Sequence, residues 1–285
     1  MKHLVSIGVV FLLAATGSVS AMADEAAAYR TLLEERGGSI VTIKAVLRSE
    51  ISMMGQTQDE ESRSEVSGVV INDRGLILAS NSAFSAGRVM QMMGMNMPGL
   101  SIDITPVDLK IVFDGDEKEY EAFMVASDAD LDLAFLQIVD LEGRAVKPID
   151  FDGSVQVETG DRLLSVNRLG RGFDYAPHVE TARVGGAIRR PRRAWIVDGS
   201  VSGLGLPVFT VDGRVVGVLS TIASGTVDDA GEGMMGMMAM FSGGGGGPVA
   251  VFALPGRSIR SAISAASDRA SQMLEERRAE TGADE

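Results

Sequence analysis

The sequence predicts an all-β fold: two six-stranded antiparallel β-barrels with a short helix at each end. Three observations carry this. Two sets of six short apolar-alternating runs are punctuated by turn residues, with no helical period between them. From Asp140 to Thr159, Gly, Pro and charge replace that alternation and separate the sets. Finally, Pro207–Thr210 and Arg214–Ser220 flank the turn residues Asp212 and Gly213, a hairpin signal that follows a Gly- and Ser-rich bend starting near Ile196.

Taken in order, residues 1–23 read as a signal peptide. Lys2 and His3 precede the apolar run Leu4–Ala15, and Ala21-Met22-Ala23 offers a small-residue cleavage site, with the cut expected after Ala23. The run is short for a bilayer span, so the mature chain is expected to be periplasmic or secreted rather than anchored. Residues 24–37 read as an N-terminal helix rich in strong helix formers, with acids in its first turn and a stop at Gly37-Gly38. Residues 38–145 form the first expected barrel, with strands at Ile40–Arg48, Glu65–Asn72, Leu76–Ser80, Val107–Phe113, Lys118–Ala126 and Asp132–Val139. Residues 146–255 form the second, with strands at Asp161–Asn167, His178–Ile188, Ala194–Asp198, Leu206–Thr210, Arg214–Thr221 and Val249–Leu254. Residues 256–285 place apolar side chains at helical spacing and read as a C-terminal helix.

The formal charge is −13, and loss of residues 1–23 removes Lys2 and no acid, giving −14. Such a chain is repelled by nucleic acid and by anionic lipid, so neither is an expected partner. It contains no cysteine, so no disulfide staples it. Its dense basic run, Arg189, Arg190, Arg192 and Arg193, reads as a solvated hairpin tip, with an acidic peptide or a lipid headgroup as the functional alternative.

The turn Ser202-Gly203-Leu204-Gly205-Leu206 resembles the Gly-Asn-Ser-Gly-Gly turn of trypsin-like serine proteases, most closely of their HtrA/Deg branch. Further matches follow the same order as in that family. Ser67-Gly68-Val69-Val70-Ile71 is similar to its glycine-led strand, and Ser127-Asp128-Ala129-Asp130-Leu131-Asp132-Leu133-Ala134 to its aspartate strand. Gly160-Asp161 is similar to the pair opening the second barrel, and Phe252-Ala253-Leu254-Pro255 to the closing strand. The resemblance implies the trypsin-like serine protease fold, with a cleft between the barrels. Family members commonly continue into a PDZ domain, for which the residues after Pro255 leave no match.

The same alignment removes the chemistry. Acyl transfer requires a hydroxyl, an imidazole to take its proton and an acid to hold the imidazole. The resemblance puts Ser82 at the histidine's place, Asp132 at the aspartate's and Leu204 at the nucleophile's. A leucine has no lone pair to offer a carbonyl. The remaining histidine of the mature chain, His178, reads as a strand-end residue. Asp132 is then a fold remnant whose buried carboxylate needs backbone N–H groups or Ser82 as partners. Ser202 is the fallback nucleophile, with Ser200 behind it, but neither has an evident base. The expected protein is therefore a protease homologue without a catalytic set or a cofactor, and the alternative is a serine endopeptidase using non-standard residues.

Methionine is clustered. Met92, Met93, Met95 and Met97 follow the Ser82 position, and Met234, Met235, Met237 and Met238 precede the glycines 243–247. Three readings stand. Thioethers make an adaptable surface for a peptide or protein segment; they capture Cu(I), unaided here by cysteine; or the segments are low-complexity loops without a ligand. The first is the reading adopted, with the resemblance implying that both clusters flank the cleft. Self-association through the terminal helices is left open by the sequence.

Overall fold

The computed structural model describes residues 25–53, 56–85, 100–114, 116, 118–221 and 250–283. The expected signal peptide and both methionine clusters lie outside them. Residues 25–36 form helix α1, which ends in a 3-10 turn, Gly37–Ser39. The first closed barrel comprises β1 (Ile40–Met53), β2 (Gln56–Val70), β3 (Leu76–Ser80), β4 (Leu100–Val112), β5 (Glu119–Asp128) and β6 (Leu133–Ile138), in spatial order β1-β2-β3-β6-β5-β4. The second comprises β7 (Arg162–Arg168), β8 (Pro177–Ile188), β9 (Ala194–Ser200), β10 (Pro207–Thr210), β11 (Val215–Thr221) and β12 (Val251–Pro255), in order β10-β11-β12-β9-β8-β7. Helix α2, Gly256–Ala283, follows directly.

The two-residue period of a strand explains how one chain fills three cores. On β6, Ala134, Leu136 and Ile138 point into the first barrel, while Leu133 and Phe135 point out of it. The outward set joins Leu164, Val166, Leu206, Phe209 and Leu254 of the second barrel in a shared core. Leu32 of α1 and Ile259, Ala266 and Ala270 of α2 complete that core. Strands such as β3, which are buried on both faces, therefore read as continuous apolar runs. Helix α2 runs from β11 and β12 onto β5, where the Arg277 guanidinium lies 4.4 Å from the Phe123 ring centroid.

One expectation is corrected. Residues 49–53 and 56–64 fall between the expected strands Ile40–Arg48 and Glu65–Asn72, but β1, β2 and β4 extend as a three-stranded ribbon beyond the barrel, with register Glu50↔Asp59 and Glu50↔Asp103. The outer half of β2 is exposed and wholly polar, so it shows no alternation; its extended state comes from ladder hydrogen bonds to β1. The connection 140–159 carries no strand, as expected of a linker, and is tied to both barrels. Ile149 and Phe151 are buried, the Ile149 N–H donates to Val70 O at 2.9 Å, and the Val155 N–H donates to Val215 O at 2.8 Å.

The barrels meet at Gly205, which has φ +83°. A Cβ there would lie 2.3 Å from Ser80 N and 2.5 Å from Ala79 C, so only glycine lets the turn touch the backbone of β3. Gly205→Ala is expected to cost about 2–3 kcal/mol through strain and overpacking. Urea titration measures it, and an unchanged midpoint would refute this account of the contact.

Candidate functional site

Strand β3 delivers Ser80 to the inter-barrel cleft, and the 3-10 turn Asn81–Ala83 carries Ser82 over Asp132. Asp132 is fully buried, in the left-handed region at φ +57°, just before β6. Its carboxylate accepts the Ser82 N–H at 2.8 Å, Ser82 Oγ at 2.7 Å, Ser80 Oγ at 3.0 Å and, from β11, Thr221 Oγ1 at 3.1 Å. Its own carbonyl accepts the Asn81 N–H at 3.1 Å. The acid thus joins the end of β3, the following turn and the second barrel. Hydroxyls occupy the acceptor positions that an orienting carboxylate would offer an imidazole.

The turn after β9 is closed on itself. The Leu204 N–H donates to Ser202 O at 3.0 Å, the Leu206 N–H to Gly203 O at 3.1 Å and the Gly205 N–H to Leu219 O at 2.8 Å. The Ser202 N–H donates to Glu180 Oε2 at 3.1 Å. Oxyanion stabilisation requires preorganised N–H groups aimed at the reacting oxygen. Here those of Ser202, Leu204, Gly205 and Leu206 all have internal acceptors. Leu206, standing where the resemblance expects a glycine, is fully buried in the shared core, while Leu204 lines the cleft.

Glu180 and Asn167 were not anticipated from the sequence. Glu180 is buried on β8 and receives Ser202 Oγ at 2.6 Å and Asn167 Nδ2 at 3.1 Å. Asn167 Oδ1 in turn accepts Ser67 Oγ of the first barrel at 2.8 Å, so a polar chain crosses the cleft floor. One signal was available: Glu180 is in phase with the inward-facing Ala182 and Val184. His178, the second residue of β8, has Nε2 3.6 Å from Glu180, and its Nδ1 is buried without a hydrogen-bond partner among the described residues.

Ser67, Asn167 and Ser202 line a cleft of about 380 Å³ that is also bounded by Glu65, Val66, Ser82 and Leu204, among others. At its rim Glu65 accepts the Tyr175 hydroxyl at 2.8 Å. Partial burial and then this bond hold the Tyr175 phenol above its ordinary pKa, keeping it a donor at neutral pH. Arg168 contributes its stem, but its guanidinium turns away into the barrel junction. A larger cavity of about 480 Å³ lies elsewhere, between the 148–152 segment and α2. The smaller one joins Ser82, Ser202 and Leu204. Among the described residues no group of His, Cys, Asp and Glu is arranged to hold a metal, and no helix is long and apolar enough to cross a membrane. The Arg189–Arg193 run forms the tip between β8 and β9, at the opposite end of these strands from His178. The expected ligand residues Met92, Met93, Met95, Met97, Met234, Met235, Met237 and Met238 lie outside the described residues.

Residues 66–218, more than half of the chain, match the family model of the trypsin-like peptidase domain. No curated protein matches the chain. Among solved structures, the HtrA-type protease AlgW with a decapeptide is similar at 17% identity and a TM-score of 0.53, over 83% of this chain and 67% of that one. The same protease with a tripeptide gives 18%, a TM-score of 0.50, and 83% and 62% coverage. Deg5 aligns at 20% identity over 67% of this chain and 82% of its own, with a TM-score of 0.47. The chain thus spans roughly two thirds of the AlgW structures.

Proposed function

Given that the chain belongs to the trypsin-like peptidase family, we propose that it is an exported member without peptidase activity, whose inter-barrel cleft binds a peptide or protein segment. One observation carries the loss of activity. The Asp132 carboxylate is held by the hydroxyls of Ser80, Ser82 and Thr221, and the nucleophile's place is a hydrocarbon, Leu204. Proton transfer to an imidazole and attack by an oxygen are both without their atoms. The closed turn is a second impediment, because its N–H groups already have acceptors.

The binding half of the proposal rests on the cleft's persistence and on sequence connectivity. The methionine-bearing segments 86–99 and 222–249 follow directly on Ser85 and Thr221, and Thr221 touches Asp132. In the sequence, one cluster thus follows the segment of Ser82 and the other that of Thr221, and both of these residues hydrogen-bond Asp132. AlgW, the fold neighbour, has been solved with bound peptides.

A second reading has one specific contact behind it: Ser202 Oγ is 2.6 Å from the Glu180 carboxylate, which is where a base would sit. Against it, the same carboxylate accepts the Ser202 N–H, so it occupies the position an oxyanion would need. The purified chain is expected to leave a serine-directed fluorophosphonate unreacted and casein uncleaved. Leu204→Ser alone is expected to restore neither. Labelling of the natural sequence that disappears in Ser202→Ala would replace this proposal with the second reading.

A further inference from the structure

We propose that the cleft recognises a cationic side chain, lysine or arginine, presented by a peptide segment; this rests on the peptide-binding reading above. The argument is a proton inventory. A serine hydroxyl carries one proton and two lone pairs. Ser82 Oγ donates its proton to Asp132, Ser202 Oγ to Glu180 and Ser67 Oγ to Asn167 Oδ1. Ser80 Oγ lies between Asp132 and Ser82 and donates to the carboxylate at 3.0 Å. All four serines line the cleft. With their protons turned inward, Ser67, Ser80 and Ser82 present lone pairs to the cleft, Ser202 Oγ spends one of its own on Asn167 Nδ2 at 3.2 Å, and the exposed Glu65 carboxylate, which accepts the Tyr175 hydroxyl and the Arg171 N–H, adds a formal charge at the rim. Asp132 and Glu180 lie behind this layer and deepen the negative potential.

Among the described lining residues the one cation is Arg168, while Lys44 stands beside the rim with its ammonium 5.4 Å from the centroid of the Tyr175 ring. Arg168 has its guanidinium on Asp114 and on the carbonyls of Gly37, Ile40 and Tyr175. Lys44, paired across the ladder with Glu65, directs its ammonium to Glu119 at 2.7 Å. His178 lies against Glu180 beneath Ser202. An anionic ligand would meet the reverse of what it needs, since Glu180 already occupies the Ser202 N–H. A basic side chain fits in both of its parts: the head supplies N–H donors to the hydroxyl oxygens and Glu65, and the methylene stem covers Val66, Ala83 and Leu204.

The test uses acetylated, amidated, fluorescein-labelled heptapeptide mixtures with lysine, arginine, norleucine or glutamate fixed at the central position and all others randomised. Fluorescence anisotropy against the mature chain is expected to show lysine or arginine mixtures binding about tenfold more tightly than norleucine, with glutamate weakest. Glu65→Gln, an exposed position, is expected to reduce that preference severalfold, and raising salt from 50 to 300 mM to weaken it. Lysine and arginine are separate arms and identify which head is preferred. Leu204→Trp, or Val66→Trp should the first melt early, blocks the cleft and is expected to abolish binding. Equal binding of norleucine and lysine that is lost in the blocked variant overturns the cation proposal and leaves the peptide-binding reading intact. Binding by no mixture, or binding that survives the block, overturns that reading and the proposal together.

Discussion

Asp132→Ala is expected to lower stability by about 4 kcal/mol, which for a protein of this size is an unfolding midpoint about 10 °C lower. The substitution leaves the Ser82 N–H and the Ser80, Ser82 and Thr221 hydroxyls facing a site with no acceptor. Each such group buried unpaired costs roughly 1–3 kcal/mol, and shared relaxation keeps the total below the sum. Asp132→Asn is expected to cost much less. Asparagine tolerates the left-handed backbone at φ +57°, retains one oxygen for the Ser82 N–H, and faces hydroxyls that rotate to accept its amide protons. Calorimetry of both variants checks the pair. In an active enzyme with this triad, losing the acid chiefly removes rate; here the expected loss is of fold, because the residue fastens β3 to β11. An alanine variant that melts with the natural protein would show that Asp132 is not such a fastener.

Arg168→Met is expected to cost about 3–5 kcal/mol. The guanidinium is 1% exposed and donates to Ile40 O at 2.6 Å, Gly37 O at 2.8 Å, Tyr175 O at 2.9 Å and Asp114 Oδ1 at 2.7 Å. Asp114 is 45% exposed and is rehydrated when the partner is lost, so most of the cost falls on the carbonyls. Arg168→Lys is not expected to rescue, since an ammonium cannot reproduce a planar fork directed at several acceptors. Because the ties reach the 3-10 turn and the start of β1, hydrogen exchange should accelerate first across Gly37–Val41. Denaturant unfolding is expected to broaden or split as the barrels lose their mutual hold. A sharp transition at the original midpoint would contradict this role.

Legibility in the sequence followed the range of the forces involved. The strands around Leu76–Ser80, Arg162–Arg168 and Val215–Thr221 were readable because alternation, branched residues and turn signals act within a few residues. The outer half of β2 was not, since QTQDEESRSE is polar on both faces and is held extended by β1 alone. Asp132 stood out through the motif around it, whereas Glu180 did not: its partners Asn167 and Ser202 are 13 and 22 residues away.

By itself, then, the sequence determined the twin-barrel architecture from local pattern, and its resemblance to trypsin-like proteases implied that Leu204 and Ser82 stand where an oxygen and an imidazole would be. Only the tertiary structure decided where each remaining proton goes. Ser82 turns onto Asp132, Ser202 onto Glu180, and the Ser202 N–H onto the same carboxylate, through hydrogen bonds between strands distant in the chain. Hydrogen-bond direction depends on which groups the fold brings within 3 Å of each other, and no spacing along the chain encodes that.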